Sequence, residues 1–207
     1  MERTDPMTTK RISAALLLAW ALLLHPAAPL DAADDDRAQP RAHGVPVPVP
    51  VEKVSVDDGD TVEIAWEEEN ETVRILGIDT PEIRHPEHDI PFDQPFGPEA
   101  TAFAKGVLSM AEEITLLRAS MRDPYGRTLG YLFVNDRNYS VLVLEAGLAV
   151  ETVSYYGDNG LPEPAADCLA AAEAAGPVPF EPPHLFRKRM REVSGWMEST
   201  GSGSTGN

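Results

Sequence analysis

Residues 74–86, RILGIDTPEIRHP, close an apolar run that carries one arginine with two acids set around a proline. Carboxylates such as Asp79 and Glu82 bind hard cations through oxygen and accept protons. A guanidinium such as Arg74 grips oxyanions with a planar fork of donors. A third acid, Asp60, closes the turn Asp57-Asp58-Gly59-Asp60, and a second arginine, Arg127, follows the turn Asp123-Pro124-Tyr125-Gly126. Brought together, these groups are the parts of a metal-dependent phosphodiesterase. Taken singly, each is an ordinary turn, cap or ion-pair residue. In an ideal strand Arg74 and Asp79 would face opposite ways, so a site containing both requires the chain to bulge or leave the strand at Gly77 or Asp79.

The elements that must position these residues are legible from periodicity. Residues 53–56 and 61–66 read as strands joined by the acidic turn, and 72–78 as a third, more continuously apolar strand. If the second and third pair antiparallel, Asp60 at the start of one and Asp79 at the end of the other fall at the same end of the sheet. A helix over 96–113 is expected from Gly97-Pro98-Glu99 and the apolar spacing behind it, then strands at 114–117 and 127–134 and a short helix over 138–147. Residues 165–175 and 183–197 are two further helical candidates. Five short strands with a helix inserted after the third predict an α+β fold: a five-stranded Greek-key β-barrel of the OB type with about three packed α-helices.

The ends of the chain read differently. Arg3, Lys10 and Arg11 precede the apolar run 12–24 and small residues up to Ala33, the pattern of a signal peptide over 1–33. An uncleaved membrane anchor and a buried core helix are the alternatives. Residues 34–50, ending in alternating Val-Pro, read as a stiff linker, 51–197 as the folded domain, and 198–207 as a flexible tail. The expected location is secreted, periplasmic or cell envelope, with membrane association only if the N-terminal segment stays uncleaved. The lone cysteine, Cys168, rules out an intramolecular disulfide, so a hydrophobic core must hold the fold.

Taken in order, Val56-Asp57-Asp58-Gly59-Asp60-Thr61-Val62, residues 74–82 (RILGIDTPE), Gly97-Pro98-Glu99-Ala100, Asp123-Pro124-Tyr125-Gly126-Arg127 and Glu145-Ala146-Gly147-Leu148-Ala149 resemble the successive motifs of the staphylococcal (thermonuclease-like) nuclease family. Residue by residue, the resemblance implies a Ca2+ ion held by Asp60, Asp79 and the carbonyl of Thr80. It implies Glu82 as general base, Arg74 and Arg127 as the guanidiniums on the scissile phosphate, and Tyr125 and Tyr155 as rings beside the substrate nucleotide. The implied activity is calcium-dependent endonucleolytic hydrolysis of DNA or RNA by in-line attack of water, giving 3′-phosphate products. No stable protein partner is expected.

Several features depart from that pattern. The loop 84–96 carries Glu87, Asp89 and Asp93, and Pro124 precedes Tyr125, where the family carries lysines; Val153 replaces the first of a Tyr-x-Tyr pair. The net charge of -17 opposes loose capture of a polyanion, which favours single-stranded or short substrates. The basic cluster 187–191 reads as the solvated face of a helix, and His85 and His88 as a surface loop. A catalytically silent OB-type module binding nucleic acid or protein is the alternative function, against which the complete set of three acids and two arginines argues.

Overall fold

The computed structural model describes residues 36–201; the expected signal peptide at 1–33 lies outside them, as do residues 202–207 of the expected tail. The strands follow the period-two burial that the sequence carries. In β3 (Thr61–Ala65) Val62 and Ile64 are buried while Glu63 faces solvent, and in β4 (Asn70–Ile75) Glu71, Val73 and Ile75 turn inward. With β1 (Pro46–Val49), β2 (Val54–Val56), β6 (Ile114–Arg122) and β7 (Thr128–Val134) they form one sheet in the order β1-β6-β7-β4-β3-β2. The pairings are antiparallel except β4 with β7, which run parallel through Val73↔Thr128 and Arg74↔Leu129.

Connectivity shows that this sheet curls. Its two edge strands, β1 and β2, are consecutive in the chain, joined through Pro50 and a 3-10 turn over Val51–Lys53. A flat sheet would separate them by roughly 24 Å at about 4.8 Å per strand, further than so short a link with a rise of about 2 Å per 3-10 residue can reach. Only a sheet rolled toward a barrel brings its edges close enough, and the expected α+β, OB-like class holds.

The five expected strands are present as β2, β3, β4, β6 and β7. Four short ones join them among the described residues: β1, the two-residue β8 (Arg137–Asn138) on β7, and β5 (Ile78–Asp79) and β9 (Val150–Glu151), which pair with each other in a separate small sheet. β1 corrects the linker expectation. The Val-Pro run is extended as predicted, yet Pro46–Val49 pairs with Ile114–Leu117 at the sheet edge, where proline's missing N–H can face outward. Upstream of it, Gln39 is buried and donates to Thr128 Oγ1 at 3.0 Å.

Three helices pack on the main core. α1 (Gly97–Ser109) contributes Ala104 and Leu108, α2 (Tyr139–Glu145) contributes Val143 and Leu144, and α4 (Pro162–Ala175) contributes Ala165, Cys168 and Ala171. A single turn, α3 (Val153–Tyr156), adds Val153. α5 (Pro183–Gly201) stands apart. Its Phe186, Met190 and Val193, at helical spacing, meet Ile90 in a separate small cluster. It also runs to Gly201, into the segment expected to be a tail, where Ser199 and Thr200 hydroxyls bond back to the Trp196 carbonyl at 2.8 and 3.1 Å. Among the described residues no helix is long and apolar enough to cross a membrane.

Candidate active site

β3 and β4 pair with Thr61 opposite Arg74, and the Ile75 N–H donates to the Asp60 carbonyl at 2.8 Å. Antiparallel pairing thus sets Asp60 beside the end of β4. The chain then breaks away at Leu76-Gly77 before β5 begins, with Gly77 at φ +84°. That left-handed turn costs little only at glycine, and a Cβ there would come within 2.7 Å of Cys168 Sγ and 3.1 Å of the Tyr131 ring. The expected departure from the strand is therefore real, and it turns Asp79 back toward Arg74.

The N-terminus of α2 fastens both turns. Asn138 caps the helix by accepting from Ser140 N at 3.0 Å. Ser140 Oγ donates to the Leu76 carbonyl and Tyr139 Oη to the Gly59 carbonyl, each at 2.7 Å and each buried. One helix end thereby holds the backbone beside Asp60 and the backbone beside Asp79.

The side chains converge on arginine. Arg74 Nη1 pairs with Asp60 Oδ1, and Arg74 Nη2 with Asp79 Oδ1 at 2.8 Å. Thr80 donates its N–H (2.7 Å) and its hydroxyl (3.1 Å) to the other Asp60 oxygen, so its observed contacts orient that carboxylate. Glu82 is held through its backbone, its N–H donating to Gln94 Oε1 at 3.1 Å and its carbonyl accepting from Gln94 N at 2.8 Å. Gly97, at the start of α1, lies so close that a Cβ would strike the Glu82 carbonyl carbon at 2.7 Å.

A residue that the sequence reading left outside completes the group. Arg187 of α5 donates from Nη1 and Nη2 to the two Asp79 oxygens, both at 2.9 Å, and from Nη1 to Glu82 Oε1 at 2.5 Å. The basic run 187–191 was the available signal. Its reading as a solvated face suits Lys188, Arg189 and Arg191, which are exposed, but not Arg187, which is half-buried beside Phe186.

Charge and burial set the acids apart. Burial pushes the Asp79 carboxyl upward, but the Arg74 and Arg187 guanidiniums together outweigh it and hold Asp79 below the usual carboxylate range. For Glu82 burial wins: its carboxyl lies above the usual value, with Arg187 offsetting only part and the Asp58 and Asp79 charges adding to the rise. Burial likewise raises Asp58 despite the opposing Arg74 charge; this acid orients the turn by accepting from Asp60 N at 2.9 Å. Arg187 stays cationic, since the two acids more than offset the effect of burial.

Arg127 lies on the rim. Asp123 accepts from its Nε at 2.7 Å and from its backbone N–H at 2.9 Å, and no hydrogen bond or ion pair among the described residues joins it to Asp60, Asp79 or Glu82. Tyr125 and Tyr155 are 85% and 82% exposed, open for stacking; Arg127 stands 5.7 Å from the Tyr125 ring, and Tyr155 meets Tyr156 edge-on at 4.6 Å. His85 lies 4.0 Å from Asp57, and His88 is exposed.

The donor chemistry at the acids fits calcium. Asp60 and Asp79 offer hard oxygens that converge on one guanidinium, and calcium completes such sets with carbonyls and water. Among the described residues no cluster of three or more His, Cys, Asp or Glu has metal-binding geometry, so protein carboxylates would supply only part of the shell.

A family model described as staphylococcal nuclease homologue matches residues 72–176. The chain is 36% identical over 94 residues to a thermonuclease of Staphylococcus intermedius, covering 45% of this chain and 54% of that protein. It is 32% identical over 93 residues to Endonuclease YncB of Bacillus subtilis (strain 168), covering 44% and 43%. The chain thus spans about half the length of the curated relatives it matches. The family match takes in Arg74, Asp79, Thr80, Glu82, Tyr125, Arg127 and Tyr155; Asp60 and Arg187 lie on either side of it.

Proposed function

Since the chain belongs to the staphylococcal nuclease homologue family, we propose that it is a calcium-dependent endonuclease hydrolysing DNA or RNA phosphodiester bonds, with 3′-phosphate products. The observation that carries this reading is the convergence of Asp60, Asp79, Glu82 and Arg74 where β3 begins and β4 gives way to β5.

Asp60, Asp79 and the Thr80 carbonyl would hold calcium, whose charge would polarise the phosphate and offset the negative charge that grows on it. Glu82 takes a proton from the attacking water. Its raised pKa suits that task, because a base works best when its affinity for protons approaches the operating pH. Water oxygen bonds to phosphorus as the bond to the 5′ oxygen breaks, and the departing oxygen is protonated from solvent. Arg127, aimed by Asp123 through Nε, keeps Nη1 and Nη2 without a protein hydrogen bond among the described residues, a fork suited to two phosphate oxygens. Arg74 holds the two acids in register and supports the same charge. The exposed rings of Tyr125 and Tyr155 give the bases surfaces on which to stack, and the acidity of the chain favours short or single-stranded substrates. Export through residues 1–33 belongs to this reading and rests on the sequence pattern alone.

The test is hydrolysis of single-stranded DNA with calcium and with chelator, in the parent protein and in Glu82→Gln and Arg127→Ala. Losing a base or a transition-state arginine removes on the order of 3 to 6 kcal/mol of barrier lowering, so both variants should fall by several powers of ten. A purified parent protein that cleaves neither DNA nor RNA at any calcium level refutes the enzyme and leaves the silent OB-type binding module, which the net charge of -17 favours.

A further inference from the structure

Both Asp79 oxygens are engaged by guanidiniums. Oδ1 accepts from Arg74 Nη2 and Arg187 Nη1, and Oδ2 accepts from Arg187 Nη2, all at 2.8 to 2.9 Å. Arg187 Nη1 also bridges to Glu82. A divalent cation drawing on Asp79 must take oxygens that these guanidiniums hold, against two positive charges within hydrogen-bonding distance.

The two arginines differ in how firmly they are placed. Arg74 belongs to β4, paired opposite Thr61 of β3 on one side and Leu129 of β7 on the other, so the backbone that carries it is held in the main sheet. Arg187 rides on α5, whose apolar contacts are Phe186, Met190 and Val193 against Ile90, a cluster separate from the main core. Gln94 Nε2 adds a bond to the Glu181 carbonyl at 2.7 Å just ahead of the helix. Small clusters outside the main core open at lower free energy than the core itself.

We propose that Arg187 is an internal competitor for the metal: α5 inserts a guanidinium between Asp79 and Glu82, and calcium binds as Arg187 withdraws. This rests on the calcium assignment above and adds to it a built-in brake, contributed from outside the family-matched residues. Docked Arg187 neutralises the carboxylates that the ion would use and engages the acid that would take the proton. Calcium and α5 docking are then mutually exclusive, and each lowers the apparent affinity of the other.

The experiment is calcium titration by calorimetry on the full chain at fixed ionic strength. If the docked state holds about nine-tenths of the molecules, Arg187→Ala should bind calcium about tenfold more tightly than the parent. Lys188→Ala removes the same charge from an exposed neighbour and should change affinity by less than about twofold, because screened surface charges contribute little. Phe186→Ala guards against a misfolded Arg187 variant. It loosens α5 from Ile90 without touching a carboxylate, and it should also tighten calcium binding. Affinity in Arg187→Ala equal to or weaker than in Lys188→Ala overturns the proposal. Absence of calcium binding in all proteins overturns it together with the metal assignment. Tighter binding in Arg187→Ala without DNA cleavage supports the competitor while the nuclease reading fails.

Discussion

Gly77→Ala tests how the fold builds the site. Alanine there would hold a left-handed backbone at φ +84°, at a cost of about 1–2 kcal/mol. Its methyl carbon would lie 2.7 Å from Cys168 Sγ and 3.1 Å from Tyr131 Cε1, both buried, and overpacking of this kind costs about 1–3 kcal/mol more. The expected loss is roughly 2–5 kcal/mol, read as a lower urea midpoint at unchanged slope. A double-mutant cycle separates the two causes. Cys168→Ala removes the sulfur that the new methyl meets, so the double variant should be more stable than additivity predicts by on the order of 1 kcal/mol. Burial pushes the Cys168 thiol up to about 12, which leaves it protonated at neutral pH, so no change of charge enters the cycle. Activity should fall beyond the stability loss, since Asp79 stands just past the altered turn. Gly77→Ala within about 1 kcal/mol of the parent, or strict additivity with Cys168→Ala, would refute the argument that this turn is sterically dictated.

Two further outcomes follow from buried contacts. Gly97→Ala drives a methyl into the Glu82 carbonyl and should lower kcat by about a hundredfold through displacement of the base, while circular dichroism shows the fold retained; unaltered kcat would mean that Glu82 is not positioned by α1. Glu71 accepts from Arg118 Nε and Nη2, Thr128 Oγ1 and Trp66 Nε1, all at 2.7 to 2.8 Å, so Glu71→Gln, which leaves Arg118 buried without its counter-charge, should cost about 3–5 kcal/mol at pH 7. Burial pushes Glu71 upward, but those hydrogen bonds outweigh it and depress its pKa below the ordinary 4.5. Its stabilisation is therefore complete above pH 4.5 and is lost as pH falls through the depressed value. Urea midpoints of parent and variant should converge at acid pH, and a gap independent of pH would refute the charge argument.

Much of this site was legible before any coordinates. Alternation in 61–66 and the apolar run 72–78 marked two strands, and the antiparallel pairing found between them is enough to bring Asp60 to the end of β4. The five-residue spacing from Arg74 to Asp79 was incompatible with one straight strand, which pointed to the break found at Gly77. These features are local, set by side-chain alternation and by the backbone angles that a residue tolerates. β1 was harder to read, because proline signals extended chain equally well in a linker and at a sheet edge, and only the partner Ile114–Leu117 separates the two.

By itself the sequence determined the five main strands, the turns between them and the acids at their ends. The tertiary structure alone decided which cations those acids meet. Arg187 is 108 positions from Asp79 and 105 from Glu82, and nothing within its own helix distinguishes it from Lys188 or Arg191. Its place at the acids is set by Phe186 and Met190 docking on Ile90. Helical periodicity shows which face of α5 is apolar, but the surface on which that face lands depends on packing between segments far apart in the chain.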